Sequence, residues 1–288
     1  MLIKYLLPAL LLIPISVFGQ ETVKVKGHII NDRGESVEYV QIGIPKLQIG
    51  TISTVDGRFE ITAPRDTLEF FHVSYQPASY SITGPADDVV IILHEQELPP
   101  AVFIGGDTKE KYLVRPGAKV FGNGGIISGS LRNGRSEGRE IGSVAQAQKP
   151  FLIKDILLSV HSNNIPGCVA SINIYRIEGK TESFVNVLHK PIYFDVAVSG
   201  HPQDFDIQPE ETILLEPGRY FIAFQIVGYD EQAMQDFLAK PEEEREPREV
   251  TTDFVIHLKS SYIREAALGE MIHLPVNIGI AVKGLEYQ

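Results

Sequence analysis

The sequence predicts an all-β protein of two domains, on three observations. Val23, Val25 and Gly27 alternate with Lys24 and Lys26, which is the period of a strand with one buried and one solvated face. Further short strand-like segments follow along the chain, with turn residues between them. A single segment has a convincing helical pattern, which disfavours an alternating α/β fold.

Residues 22–93 are predicted to be short strands joined by turns. Asn31–Gly34 predicts a turn, because Asn and Asp bond their own backbone and Gly accepts a positive φ. Val37–Ile44 is predicted to be the second strand. Asp56-Gly57 lies between two strand-like segments and predicts a hairpin. We expect that turn to accept Gly57→Asn and to reject Gly57→Val, since β-branched residues resist a positive φ.

The first nineteen residues predict a signal peptide. Met1 and Lys4 form a short positive segment, Tyr5–Val17 is apolar, and Gly19 offers a small residue at a cleavage site. The alternative is an N-terminal anchor, but the apolar run is shorter than the roughly 20 residues of a spanning helix. The mature chain is therefore expected to begin at Gln20.

The run from GHIINDRGESVEYV through GTISTVDGRFEIT to LEFFHVSYQ and VVIILHEQEL resembles the carboxypeptidase-regulatory-like domain. The residues that fit its pattern are Gly27, Asp32, Gly34, Gly50, Thr51, Asp56, Gly57, Phe59, Val73 and Tyr75. Ser53-Thr54 departs from the usual Thr-Asp, and Val37 stands where proline is common. The resemblance covers about a quarter of the chain. It implies a seven-stranded, transthyretin-like β-sandwich over residues 20–97 that is not itself catalytic.

Residues 98–142 are rich in glycine and have two interpretations. They are either a flexible linker or a strand-and-loop entry into the second domain. Lys119-Val-Phe and Ile126-Ile-Ser are strand-like and favour the second interpretation.

Residues 143–288 are predicted to form a second, jelly-roll-like β-sandwich with one short helix inserted. The predicted strands are 152–160, 169–177, 191–198, 212–215, 219–227, 250–258 and 278–282. The helix is predicted over Asp230–Lys240, with Asp230 as its N-cap and Met234, Phe237 and Leu238 on one face.

The composition and motifs argue against several function classes. The net charge of −11 disfavours nucleic acid as a partner. His94-Glu-Gln-Glu97 matches a zinc-ligand pattern, but in a strand positions i and i+3 point to opposite faces. If the segment were a loop, His161 or His257 would be a candidate third ligand. We therefore predict no catalytic, cofactor-binding or metal-binding residues.

Two further candidates have simpler interpretations. Cys168, the single cysteine, is predicted to be a small buried hydrophobic residue and not a nucleophile. Asp204 and Asp206 are predicted to be surface acids on one face of a strand, because no third ligand accompanies them.

The sequence favours a non-enzymatic, exported cell-envelope protein of a Gram-negative bacterium, in the periplasm or at the outer-membrane surface. It would act as a binding or scaffolding module. Other envelope proteins or glycans are its candidate partners, with no membrane-spanning segment in the mature chain. The alternative is an accessory hydrolase or carbohydrate-active protein with a site built across loops; a deep cleft with perturbed carboxylates would favour it.

Overall fold

A computed structural model describes residues 21–97, 105–115, 126–130, 138–245 and 250–288. The predicted signal peptide and most of the glycine-rich segment lie outside these residues. Strands account for 56% of the described residues and helices for 6%, so the predicted all-β class is confirmed. No helix in the described part of the chain is both long and apolar enough to cross a membrane.

Residues 21–97 contain seven strands in two sheets, which we call the first sandwich. The strands are β1 (Thr22–Asn31), β2 (Gln41–Ile44), β3 (Ile49–Ile52), β4 (Arg58–Pro64), β5 (Thr67–Phe71), β6 (Ala78–Ser81) and β7 (Ala86–Leu93). One sheet has the order β4-β1-β7, with β1 antiparallel to β4 and parallel to β7. The other has the order β3-β2-β5-β6. Val25, Ile29, Ile42, Leu68 and Phe70 belong to the core between them.

The remaining strands form the second sandwich. They are β8 (Thr108–Val114), β9 (Ile126–Ser130), β10 (Glu140–Ala147), β11 (Phe151–Val160), β12 (Ser162–Asn163), β13 (Cys168–Glu178), β14 (Ser183–Asn186), β15 (Tyr193–Val196), β16 (Gln203–Ile207), β17 (Leu214–Leu215), β18 (Gly218–Gly228), β19 (Thr251–Val255), β20 (Ser261–Arg264), β21 (Ile272–Leu274) and β22 (Ala281–Tyr287). Helix α1 (Glu231–Ala239) follows β18, and short 3₁₀ turns lie at Pro45–Leu47 and Glu242–Glu244.

The second sandwich is built on a central sheet of order β14-β13-β18-β10-β20-β21, with β15 also paired to β13. A facing sheet has the order β16-β11-β22-β8, with β17 on β11. Apolar residues of both sheets, such as Ile172, Ile222, Ile156 and Val282, share one large core. A third sheet, β12-β19-β9, includes the Ile126–Ser130 strand that the sequence predicts. The jelly-roll-like connectivity stays a prediction.

Local turns explain where several strands begin and end. The Asn31–Gly34 turn is confirmed: Asn31 Oδ1 accepts the amides of Arg33 at 2.9 Å and Glu35 at 3.0 Å, and Gly34 has φ +77°. Between β17 and β18, the Tyr220 hydroxyl donates to the Glu216 carbonyl at 2.7 Å. This bond from a tyrosine to the backbone four residues earlier fixes a corner in many β-sandwiches.

The Asp56-Gly57 turn exists, but the predicted hairpin is wrong. Gly57 has φ +75° and its amide donates to the Thr54 carbonyl. However, β3 pairs with β2 and β4 pairs with β1, so the turn carries the chain from one sheet to the other. The two flanking segments had the composition of a hairpin, but burial in the sandwich core separates them.

The expected tolerance of Gly57→Asn is also contradicted. A Cβ at Gly57 would lie 2.6 Å from the Ile29 carbonyl oxygen, so any side chain there meets backbone. The predicted second strand is shorter than expected as well. It begins at Gln41 because Tyr39 has φ +51°, which interrupts an extended chain.

The predicted helix is confirmed with one change in its buried face. Asp230 is the N-cap, and its side chain accepts the Ala233 amide at 3.0 Å. Met234 is buried and Phe237 packs against the core, but Leu238 is 41% exposed. The helix therefore buries a narrower stripe than the sequence predicts.

Candidate functional site

The residues that the sequence singled out do not converge on one site. The predicted strand position of His94 and Glu97 is wrong, because β7 ends at Leu93, so the argument from opposite strand faces does not apply to them. His94 Nδ1 lies 2.6 Å from Asp32 Oδ1. No group of three His, Cys, Asp or Glu side chains with the spacing of a metal site occurs in the described ranges. Asp204 and Asp206 are exposed on one face of β16.

Cys168 has the buried environment that the sequence predicts. It is 1% exposed within the core of the second sandwich. Burial raises the pKa of its thiol to about 12, so it stays a thiol at neutral pH.

The candidate site is instead a cleft of about 960 Å³ between the two sandwiches. One wall comes from β1, β4 and β7 and includes Lys26, Arg58, Asp88 and Val90. The opposite wall comes from the second sandwich and spans residues 167–169 and 226–231, leading into α1. We call it the interdomain cleft.

The floor of the interdomain cleft is apolar and closely packed. Ile52 and Val227 belong to a small buried cluster, and Tyr39 and Val169 pack against it. The Tyr39 ring lies so close to Gly228 that a Cβ there would be 2.8 Å from the ring. The cleft is thus closed at its base by a direct contact between the sandwiches.

The walls of the cleft are polar and predominantly acidic. Glu60 pairs with Lys24 and with Lys26, the latter at 3.1 Å, and Asp56 pairs with Arg58 at 2.9 Å. Hydrogen bonds from the two lysines lower the pKa of Glu60. Hydrogen bonding from Thr54 first, and the Arg58 charge second, lower the pKa of Asp56.

Three further acids line the cleft: Asp87, Asp88 and Glu231. With Asp56 and Glu60 they outnumber the basic residues Lys26 and Arg58. Ionised carboxylates accept hydrogen bonds from hydroxyl and N–H groups and repel anions. A general acid for glycoside hydrolysis requires a raised pKa, which is the opposite of the shifts at Asp56 and Glu60.

Two glycines seat the first sandwich on the second. Gly43 and Gly50 face each other across the β2–β3 hairpin, and the Ala267 carbonyl lies over both. A Cβ would lie 2.7 Å from that oxygen at Gly43 and 2.2 Å from it at Gly50. Beside them, Gln48 Oε1 accepts the Glu270 amide at 3.1 Å. Gly50 belongs to the sequence motif, and here its role is to permit a close approach.

A buried polar cluster lies on the face of the central sheet that is turned toward this contact. Glu140 accepts from Asn173 at 2.7 Å and from the Tyr175 hydroxyl at 2.6 Å, and its other oxygen is 2.9 Å from Arg264 Nη1. Glu140 is fully buried, and Gln225 hydrogen-bonds Asn173 at 3.0 Å. We call these five residues the Glu140 cluster.

Charge pairing decides the state of the Glu140 cluster. Burial raises the pKa of Glu140, while Arg264 and the two hydrogen bonds act in the opposite direction. Because a guanidinium does not lose its proton in proteins, we describe the two residues as an ion pair. The cluster has the composition of an active site, but it is enclosed and no substrate can reach it. We therefore assign it a structural role.

Sequence patterns alone could not have found the cleft or the cluster. Their residues are drawn from segments far apart in the chain. Four of the cleft residues, Gly27, Thr51, Asp56 and Phe59, belong to the motif of the resemblance, but that motif predicted a fold and no site. The one available signal was polarity inside apolar strands, such as Asn173 within Ala-Ser-Ile-Asn-Ile-Tyr and Gln225 within Ala-Phe-Gln-Ile-Val.

Comparison with known proteins leaves the family open. No family model matches the sequence, and no curated protein matches it. A DUF3823 family protein from Parabacteroides merdae is 8% identical, covering 74% of this chain and 100% of that chain, with a TM-score of 0.22. A DUF3823 family protein from Bacteroides ovatus is 10% identical, covering 72% of this chain and 97% of that chain, with a TM-score of 0.21.

A structure of infectious bursal disease virus is 11% identical, covering 95% of this chain and 61% of that chain, with a TM-score of 0.27. TM-scores this low carry no argument about fold or function.

Proposed function

We propose that this chain is a non-enzymatic, exported cell-envelope protein that binds a neutral glycan in the interdomain cleft. The observation that carries the proposal is the cleft itself, which has two walls, an apolar floor and a polar lining. The export and the envelope location rest on the N-terminal segment and on the resemblance of the first sandwich.

The lining of the cleft favours a neutral, hydroxyl-rich ligand. Its excess of carboxylates disfavours phosphates, nucleic acid and acidic polymers. Asp56 and Glu60, whose pKa values are lowered by their hydrogen-bond partners, can accept hydrogen bonds from sugar hydroxyls. Tyr39 and Tyr229 are among the residues that line the cleft, and a tyrosine side chain combines an apolar ring with a polar hydroxyl.

Binding is favoured over hydrolysis by the electrostatics. The lowered pKa values of Asp56 and Glu60 suit hydrogen-bond acceptance and do not suit proton donation to a leaving group. The accessory hydrolase remains the alternative.

The experiment is isothermal titration of the chain from Gln20 with malto-, cello-, xylo- and mannohexaose, and with heparin as the anionic comparison. The site variant is Val90→Lys, because Val90 is 58% exposed and lines the cleft. The control is Ile92→Lys: Ile92 is 49% exposed on the same face of the same strand, outside the cleft.

We expect one neutral hexasaccharide to bind, with at least about a tenfold loss in Val90→Lys, equivalent to about 1.4 kcal/mol, and no change in Ile92→Lys. Binding of none of the four sugars would refute the glycan ligand. Equal loss in both variants would place the site elsewhere, and shortened sugars after incubation would favour the hydrolase.

A further inference from the structure

The contact between the two sandwiches includes a buried histidine. His72 directly follows β5 and is 8% exposed. Its Nδ1 accepts the Ser74 amide at 3.2 Å, which places the single proton of the neutral ring on Nε2. Nε2 then faces the Tyr193 hydroxyl of the second sandwich at 3.3 Å.

Residues around His72 make further contacts between the two sandwiches, and one of these residues also lines the interdomain cleft. The Ser74 hydroxyl donates to the His189 carbonyl at 3.1 Å, a second bond across the same contact. The Tyr193 ring packs edge-on against Tyr39 with centroids 5.1 Å apart, and Tyr39 lines the interdomain cleft. The His72 ring also lies 5.2 Å from the ring of Tyr75.

We propose that His72 is an acid-sensitive lock: when it gains a second proton, the contact between the sandwiches loosens and the interdomain cleft opens. A proton on Nδ1 would point at the Ser74 N–H, so two donors would face each other and the bond would be lost. The buried charge would also lose its hydration, which opening of the contact restores.

The ionisable groups around this contact offer little compensation. Tyr193 faces His72 through a neutral hydroxyl, and burial raises the pKa of that hydroxyl further. Tyr75, three residues after His72, contacts the His72 ring with its own ring. His189 contributes its backbone carbonyl, which accepts the Ser74 hydroxyl. The acids that act on the neighbouring tyrosines are Glu38, on Tyr39 and Tyr193, and Asp195, on Tyr39.

The direction of the pH effect follows from burial. Burial lowers the pKa of His72 from its ordinary 6.5 to about 4. The closed contact therefore binds fewer protons than the open one, so its stability is complete above pH 6.5 and declines as the pH falls toward 4. Release of a ligand on acidification rests on the proposed binding function; the opening itself does not.

Hydrogen exchange of the unliganded chain from Gln20, followed by mass spectrometry and corrected for intrinsic rates, tests the opening. Peptides covering residues 72–76 and 189–193 report it. We expect the opening constant to rise on the order of 50- to 100-fold from pH 7.5 to 4.5. In His72→Asn, whose Oδ1 still accepts the Ser74 amide but does not titrate, we expect a rise of less than about threefold.

The control is His201→Asn, because the His201 side chain is exposed and the hydrogen bonds of this residue with Ser199 use only its backbone atoms; its response should equal the parent's. An unchanged parent, or a full response in His72→Asn, would overturn the proposal. If His72→Asn does not fold, NMR titration of the His72 ring in the parent decides: a pKa near 6.5 overturns it. Because these measurements use no glycan, their outcome is independent of the binding experiment.

Discussion

The β4-β1-β7 sheet of the first sandwich and the central sheet of the second are covered differently. In β1, Val23 and Val25 are buried while Lys24 and Lys26 are exposed, so one face of that sheet is solvated. In β18, every residue from Tyr220 to Val227 is buried. The central sheet is therefore covered on both faces, and the first sandwich supplies part of the cover on one of them.

The second cover explains why polar groups lie inside the central sheet. One face packs on the β11 and β22 sheet through the large core. The other meets Ile52 and Tyr39 of the first sandwich around Val227 and Ala267, beside the Glu140 cluster. The first sandwich has its own closed core, whereas the second is partly covered by the first. We therefore expect the two sandwiches to differ in stability when each is produced alone.

The largest expected effect comes from separating the two. Residues 21–97 alone should fold, because their core is complete without the rest of the chain. Residues 105–288 alone should lose cooperative thermal unfolding and aggregate, because Val169, Val227 and Ala267 would meet water. Calorimetry and light scattering of both fragments measure this. A fragment 105–288 as stable as the full chain would show that the second sandwich does not need the first to cover it.

The second largest expected effect comes from replacing a buried glutamate, compared with replacing an exposed one; each of the two pairs with an arginine and a tyrosine. Glu140 pairs with Arg264 and Tyr175 in full burial, whereas Glu182 pairs with Arg219 and Tyr262 and is 38% exposed. Glu140→Gln should lower the free energy of unfolding by about 3–5 kcal/mol, because it leaves a buried guanidinium without its counter-charge.

The matched change Glu182→Gln should lower the free energy of unfolding by about 0–1 kcal/mol, because water screens an exposed pair. Urea denaturation of both variants provides the values. Similar losses would mean that burial does not distinguish the two ion pairs.

The smallest effect concerns two glycines with positive φ in the first sandwich. A Cβ at Gly34 would meet nothing within 4 Å, whereas one at Gly57 would lie 2.6 Å from the Ile29 carbonyl. Gly34→Asn should change the free energy of unfolding by about 0.5 kcal/mol or less, and Gly57→Asn should lower it by about 1–3 kcal/mol. Thermal denaturation distinguishes them, and equal melting temperatures would argue against the tight packing at Gly57.

Residues close in the chain allowed several elements to be predicted. The alternation in β1, the Asn31–Gly34 turn and the Asp230 cap of α1 each depend on neighbours within a few positions. Those interactions are local, so the residues carry them wherever the segment lies. The all-β class follows from the same local signals.

The pairing of strands could not be predicted from the sequence to the same extent. Asp56-Gly57 has the turn chemistry that predicts a hairpin, and the turn forms, yet its flanking strands join different sheets. Turn residues determine backbone direction over four positions, whereas the partner of a strand depends on which apolar faces can be buried together.

The sequence by itself determined that this chain forms short, alternating strands with turns, one capped helix and a buried, unreactive cysteine. The tertiary structure alone decided that Gly50 seats Ala267, that Glu140 meets Arg264 and that His72 faces Tyr193. Each of these pairs is separated by more than a hundred positions in the chain. The Gly50 and His72 contacts arise when the two sandwiches pack, and the Glu140 contact arises when β10 pairs with β20. No local propensity encodes a partner that distant.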